Sequence, residues 1–272
     1  MKLTQLFDVT GRCVIVTGGA SGIGLAFVEA LAEHGARVTI LDADAAGVAR
    51  ECPRLRALGW EVRGAVVDVT DRPATQRAFD EAVALFGRLD VVFANAGVDP
   101  GIGVLDAQGA RTREGALENY DDERWNRNIE INLNAVFNTL KAAARHMKPR
   151  RAGRIIITTS VAAVRNSALA AAYAAAKAGT AALMRNAALE LARFNITVNA
   201  IAPGPFATNI GGGHLKDPEF QARAAGIIPL HRVGQPQDMH GLALLLASDA
   251  AGFMTGAHIF NDGGLSIGPP ID

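Results

Sequence analysis

With 272 residues, 49% of them hydrophobic and 20% charged, the chain has ample apolar material for one large α/β domain and too little charge for a disordered one. Lys plus Arg is 27 and Asp plus Glu is 27, so no net field attracts polyanions and nucleic acid is not an expected partner. Two cysteines, Cys13 and Cys52, exclude a disulfide framework or a four-cysteine zinc site; no metal is expected, and without a signal peptide or membrane span the expected location is the cytoplasm.

Along the chain, apolar β-branched runs alternate with stretches of helical length. The runs are CVIVT at Cys13, RVTILD at Arg37, EVRGAVVD at Glu61, LDVVFANA at Leu89, GRIIITTS at Gly153, ITVNAIAP at Ile196 and AHIFND at Ala257. Helices are expected over Gly24–Glu33, closed by Gly35, over Ala45–Leu58 and over Thr75–Phe86. Such alternation predicts βαβ crossovers, hence a seven-stranded parallel sheet with helices on both faces, its strands continuously apolar because both faces are buried. No linker or fixed-period repeat divides the chain, so one domain is expected over residues 1–272. Two segments break the rhythm, Asp99–Tyr120 and Asn209–Pro229; after strand ends they are candidate site walls or lids. The basic stretch Arg145, His146, Lys148, Arg150, Arg151 and Arg154 reads as a solvated helix end and loop.

The first run is followed by TGGASGIG, Thr17–Gly24, which leads straight into a helical pattern. Glycine permits positive φ and close backbone approach, and a helix N-terminus presents free N–H groups to a pyrophosphate. Glycines also make ordinary tight turns. Asp42 adds a second signal: it ends the second run 18 residues after Gly24, where a ribose-binding acid is expected, although it would also serve as N-cap for a helix from Ala45. A carboxylate there accepts bonds from a 2′-hydroxyl and repels a 2′-phosphate by roughly 4 kcal/mol at about 4 Å and ε about 20, which favours NAD. Further on, Ser160 ends a strand, Tyr173 follows thirteen residues later, and Lys177 lies four beyond, on the same face of a helix.

Together TGGASGIG, the ANAG at Ala94–Gly97, the INL around Asn132, Ser160 with Tyr173-Ala-Ala-Ala-Lys177, and Pro203-Gly204 resemble the short-chain dehydrogenase/reductase family over about Cys13 to Leu265. The resemblance implies a single Rossmann-type domain, a homotetramer, and an active site of Asn132, Ser160, Tyr173 and Lys177. It implies that Gly18, Ser21, Ile23 and Gly24 cradle the pyrophosphate, Asp42 the adenosine ribose, and Asp68 and Val69 the adenine. Asn95 lies near the nicotinamide ribose, Lys177 holds that ribose, Thr208 meets the carboxamide, and Pro203 and Gly204 shape the nicotinamide pocket. Gly22, Ala96, Gly97 and Tyr173 complete the cofactor-binding set.

Physical chemistry supports these roles. Tyr173 must take a proton from an alcohol as hydride leaves its carbon, yet a free phenol has a pKa of about 10. An ammonium about 4 Å away at ε near 20 attracts the phenolate by roughly 4 kcal/mol, or about three pKa units. Ser160 can donate to the substrate oxygen as charge develops there, and Asn132 would hold a water linking Lys177 to solvent. The expected activity is therefore NAD-dependent interconversion of a secondary alcohol and a ketone, with a small-molecule substrate and no membrane partner. Ala162, Val98, Phe206 and Ile210 suggest an apolar pocket, with Arg165 and His214 as groups that could bind an acid. Two alternatives stand beside it: an NADPH-dependent ketoreductase of the 3-oxoacyl-thioester type, and a dinucleotide-binding sensor without turnover. Against the first stands Asp42, with Ala43 rather than a base after it; against the second, the presence of both Tyr173 and Lys177. Enoyl reductases of this family usually space their tyrosine and lysine more widely. Prolines 269 and 270 prevent a helix in the tail, which is expected at a subunit contact.

Overall fold

The computed structural model describes residues 3–98, 113, 116–165 and 170–270. Each expected run contains a strand: β1 (Cys13–Thr17), β2 (Arg37–Asp42), β3 (Val62–Val66), β4 (Val91–Ala94), β5 (Gly153–Thr158), β6 (Ile196–Pro203) and β7 (His258–Asn261). All pair in parallel, in the order β3-β2-β1-β4-β5-β6-β7. Between them lie α1 (Leu3–Leu6), α2 (Gly22–Glu33), α3 (Ala45–Ala57), α4 (Arg72–Phe86), α5 (Asp122–Ile129), α6 (Ala135–Arg150), α7 (Ala171–Ala192), α8 (Pro218–Ala225) and α9 (His240–Ala247). Helix α4 begins three residues before the expected start, because the Asp71 carboxylate accepts the Ala74 N–H and Pro73 suits the first turn.

Alternate strand residues serve two cores. Val14, Val16, Val38 and Ile40 pack with Phe27 and Leu31 of α2, Leu55 of α3 and Leu246 of α9. Ile15, Leu41, Ile155 and Ile157 face the other way, onto Phe79 of α4, Leu140 and Met147 of α6, and Met184 of α7. Burial on both faces explains the continuous apolar runs of the central strands, each fully buried Val, Leu or Ile contributing about 1.5–3 kcal/mol. The expectation fails at β3, where Arg63, Gly64 and Val66 are exposed, because an edge strand has a neighbour on one side only.

The basic stretch is solvent-facing as expected, with Arg145, Arg150 and Arg151 exposed, and its groups also carry pairings. Arg145 donates to Gln76, His146 meets Asp80, Lys148 pairs with Glu190, Arg150 joins Asp90, Arg151 donates to the Arg193 carbonyl, and Arg154 pairs with Asp249. These contacts tie α6 and the start of β5 to α4, α7 and the segment before β7. Among the described residues no helix is long and apolar enough to cross a membrane.

Strand order reverses between β1 and β4, so the chain leaves these neighbours in opposite directions and opens a crevice at their C-terminal ends. Thr17 and Ala94 end the two strands, which places TGGASGIG and Asn95 at the crevice.

Candidate active site

At the head of α2 the glycines are required by backbone contacts. Gly18 and Gly22 have φ of 64° and 55°. A Cβ on Gly18 would lie 2.9 Å from the Ala96 Cα, and one on Gly24 would collide with the Gly18 carbonyl oxygen. Ser21 is extended and its hydroxyl does not cap α2, whose first turn carries no acid. The N–H groups of Gly22, Ile23 and Gly24 thus have no side-chain acceptor among the described residues, leaving them and the positive end of the helix dipole for an anion. Thr208, buried, reaches over from the β6 side to within 3.3 Å of the Cβ position of Gly22. A pyrophosphate fits this cradle, in both backbone shape and charge.

Asp42 sits at the end of β2, its carboxylate accepting the N–H groups of Ala20 at 2.9 Å and Asp44 at 3.0 Å. The N-cap of α3 is Asp44, so Asp42 does not have the alternative N-cap role that its sequence position allowed. Asp68 is exposed; bonds from the Thr70 amide and hydroxyl hold its carboxyl below the usual range, while Val69 is buried.

A hydrogen-bonded chain links the glycine turn to Lys177. The Thr17 hydroxyl accepts the N–H groups of Asn95 and Ala96, and Asn95 Nδ2 donates to the carbonyls of Thr17 and Gly18. Asn95 Oδ1 accepts from the Thr158 hydroxyl at 2.9 Å, and the Thr158 carbonyl accepts from Lys177 Nζ at 3.0 Å. Lys177 is only 3% exposed, and this burial lowers its pKa to about 8. Its ammonium lies 5.6 Å from the centroid of the half-buried Tyr173 ring. A Cβ on Gly97 would stand 2.9 Å from Asn132 Oδ1 and 3.3 Å from Lys177 Nζ, so both side chains close on one backbone position.

Asn132 is fully buried in a π-helical turn, Glu130–Asn134, between α5 and α6. Its side chain clasps Val98, donating to the carbonyl at 2.9 Å and accepting the N–H at 3.2 Å, and it donates to Asn128 Oδ1. Its carbonyl accepts from the Thr180 hydroxyl of α7. Ser160 heads the 3-10 turn Val161–Ala163, its Oγ accepting the Ala162 N–H at 3.1 Å, and α7 packs on that turn. Pro203 is buried at the end of β6, and Gly204 lies so close to Asp262 that a Cβ would come within 2.8 Å of its Cα.

The match to known proteins decides the family. A family model described as enoyl-(acyl carrier protein) reductase matches residues 18–266. L-rhamnose 1-dehydrogenase (NAD(P)(+)) of Azotobacter vinelandii is 35% identical over 94% of this chain and 97% of its own. The chain belongs to the short-chain dehydrogenase/reductase family. Like the dehydrogenases and reductases it matches, this family member is an oxidoreductase, and its family binds a nicotinamide dinucleotide. Cis-4-hydroxycyclohexanecarboxylate dehydrogenase of Sinomonas cyclohexanicum is 38% identical over 93% of this chain and 96% of its own. A gluconate 5-dehydrogenase from Burkholderia cenocepacia, solved with NADP and tartrate, superposes with a TM-score of 0.87 at 32% identity, covering 97% of this chain and 99% of that one.

Sequence motifs alone assign no role to Thr17, Thr158 or Asn128. Thr17 and Thr158 link the glycine turn to the lysine, and Asn128 supports Asn132; the i, i+4 spacing of the two asparagines was the available signal. Of the residues read as an apolar pocket, Phe206 is buried in the main core with its ring against Gly234 and also lines a cavity with Ile228 and Asp262. Arg165 is exposed, and its guanidinium also donates to the Leu265 carbonyl, a partner the sequence did not indicate. The His214 side chain and positions 99–112 fall outside the described residues; the described end of the Asp99–Tyr120 segment is a 3-10 turn, Leu117–Asn119.

Proposed function

We propose that the protein is an NAD-dependent dehydrogenase interconverting a secondary alcohol and a ketone, with Tyr173 as general acid/base. The observation that carries this reading is the buried Lys177 ammonium 5.6 Å from the Tyr173 ring, anchored on the Thr158 carbonyl at the same crevice as an uncapped glycine-rich helix start. When bound, the nicotinamide takes up or gives the hydride. Tyr173 takes the alcohol proton, and the cation beside its ring favours the phenolate. The Ser160 Oγ already accepts from Ala162, which leaves its own proton for the substrate oxygen as charge builds there. Asn132 holds Val98 and the wall beside Lys177, in the place proposed for a water leading to solvent. Gly18, Ser21, Gly22, Ile23 and Gly24 would hold the pyrophosphate, Asp42 the adenosine ribose, and Asp68 and Val69 the adenine. Asn95, Ala96, Gly97, Lys177, Pro203, Gly204 and Thr208 would surround the nicotinamide riboside.

Asp42 supports NAD over NADP, because its carboxylate is held rigidly by two backbone N–H groups and no base follows it. An NADPH-dependent ketoreductase is kept as the second reading, since one relative is named with NAD(P)(+) and another was solved with NADP. The expected outcome is NADH formation with members of a panel of secondary alcohols, together with tighter binding of NAD than of NADP and loss of that preference in Asp42→Ala. No alcohol-dependent NADH formation across the panel would contradict the assignment. Alkene reduction is disfavoured by the four-residue spacing of Tyr173 and Lys177. We further propose a homotetramer, supported by exposed Leu189 and Phe253, and a reducing cytoplasmic setting, supported by the buried free thiols of Cys13 and Cys52.

A further inference from the structure

Three segments distant in sequence meet beside Ser160. Val161, Ile228 and Leu265 are 8%, 1% and 7% exposed and form a small cluster apart from the two main cores. Val161 follows Ser160, Ile228 lies on the return from α8, and Leu265 is in the C-terminal tail. Asp262 shapes that tail: its two carboxylate oxygens accept the N–H groups of Gly264 at 3.0 Å and Ser266 at 2.7 Å. The tail then meets the return from α8 through its backbone. Leu230 N–H donates to the Gly263 carbonyl at 3.1 Å, and a Cβ on Gly263, whose φ is 64°, would lie 2.7 Å from Ile228 Cγ2. On its other side the tail is held by Arg165, whose Nη1 donates to the Leu265 carbonyl. Arg165 is itself fixed to the turn after Ser160, its N–H donating to the Val161 carbonyl at 2.8 Å.

We propose that Arg165 is a positioning residue that couples the Ser160 turn to the return from α8 through the C-terminal tail. The segment between β6 and α9 is anchored in the main core near its ends by Phe206 and Met239, but α8 between them has no buried residue. The tail braces the return from α8 at Ile228 and Leu230, and among the described residues Arg165 makes the charge-assisted bond that reaches the tail from the Ser160 side. Substrate-side geometry and the Ser160 hydroxyl are thereby set together. The functional part of this claim rests on the reading of Ser160 as the group that meets the substrate oxygen; the coupling itself does not.

Hydrogen exchange followed by mass spectrometry separates the two. In Arg165→Ala, the amides of Leu230 and Ser266 are expected to exchange at least about fivefold faster, although neither residue touches Arg165 through its side chain. For the most active alcohol, kcat/KM is expected to fall roughly tenfold, mainly through KM, with NADH affinity unchanged. Arg165→Lys, which keeps a cationic donor, restores most of both. Deletion of Leu265–Asp272 tests the coupling from the other end and is expected to speed exchange at Ala163 and Arg165. Faster exchange in these segments supports the coupling even if no alcohol is turned over, a result that would count against the enzymatic reading alone. Unchanged exchange at Leu230 and Ser266 in Arg165→Ala would overturn the proposal.

Discussion

Lys177 is a cation in a place that disfavours cations. Burial brings its pKa from 10.5 to about 8, so between these values the unfolded chain binds more protons than the folded one and stability rises with pH. Near neutral pH the lysine is charged in both states and the full desolvation penalty is present. Lys177→Met is therefore expected to melt no lower than the parent at about pH 7, with its relative advantage shrinking by about pH 10, while turnover is lost. Thermal melts at both pH values, beside an activity assay, check this; a variant that melts well below the parent at neutral pH would show that the Nζ bond to Thr158 outweighs desolvation. At this scale the sequence was informative where residue type and short spacing suffice, as with Tyr173, Lys177 and Asp42. It did not reveal the partners of Arg165 and Phe206, which come from chain distant in sequence: Leu265 lies 100 positions from Arg165.

Among the elements, the π-helical turn Glu130–Asn134 does what a regular helix would not. An extra residue in the turn alters the direction of Asn132, which lets one side chain reach both the N–H and the carbonyl of Val98. Asn128, one turn earlier and 3% exposed, accepts from the Asn132 amide and donates to the Arg124 carbonyl. Asn128→Ala is expected to destabilise the fold by about 1 kcal/mol and to lower kcat with little change in NADH affinity. Urea melts and steady-state kinetics check it, and a loss confined to NADH binding would show that the asparagine pair serves the cofactor side instead. The INL motif marked Asn132, but no periodicity in the surrounding residues signals a π turn. Two helix starts carry a local device, an Asp cap followed by proline in the first turn at Asp71 and Asp217, yet α4 was expected only from Thr75 and no helix was expected within Asn209–Pro229.

For the whole molecule, the alternation of seven apolar runs with helical stretches was enough to anticipate a parallel sheet, since crossover connections leave few other arrangements. The strand order that opens the crevice between β1 and β4 follows from which helices cover which face, and that is decided by packing across the chain. The same holds for the basic stretch, whose partners are acids and polar groups on α4, before β4, on or at the end of α7, and before β7. Assembly belongs to this scale: Leu189 on α7 is 81% exposed and Phe253 before β7 is fully exposed, apolar groups that the proposed tetramer would cover. Sedimentation velocity is expected to give four times the chain mass, and a stable monomer would contradict the proposed tetramer.

The central claim is that the phenol at position 173 moves the proton while the dinucleotide takes the hydride. Its most direct test compares parent and Tyr173→Phe in alcohol-dependent NADH formation, with NADH binding titrated in parallel by fluorescence. The account predicts turnover in the parent, a loss of at least about a hundredfold in the variant, and equal NADH affinity in both. A variant that oxidises the same alcohol at the parent's rate would contradict it.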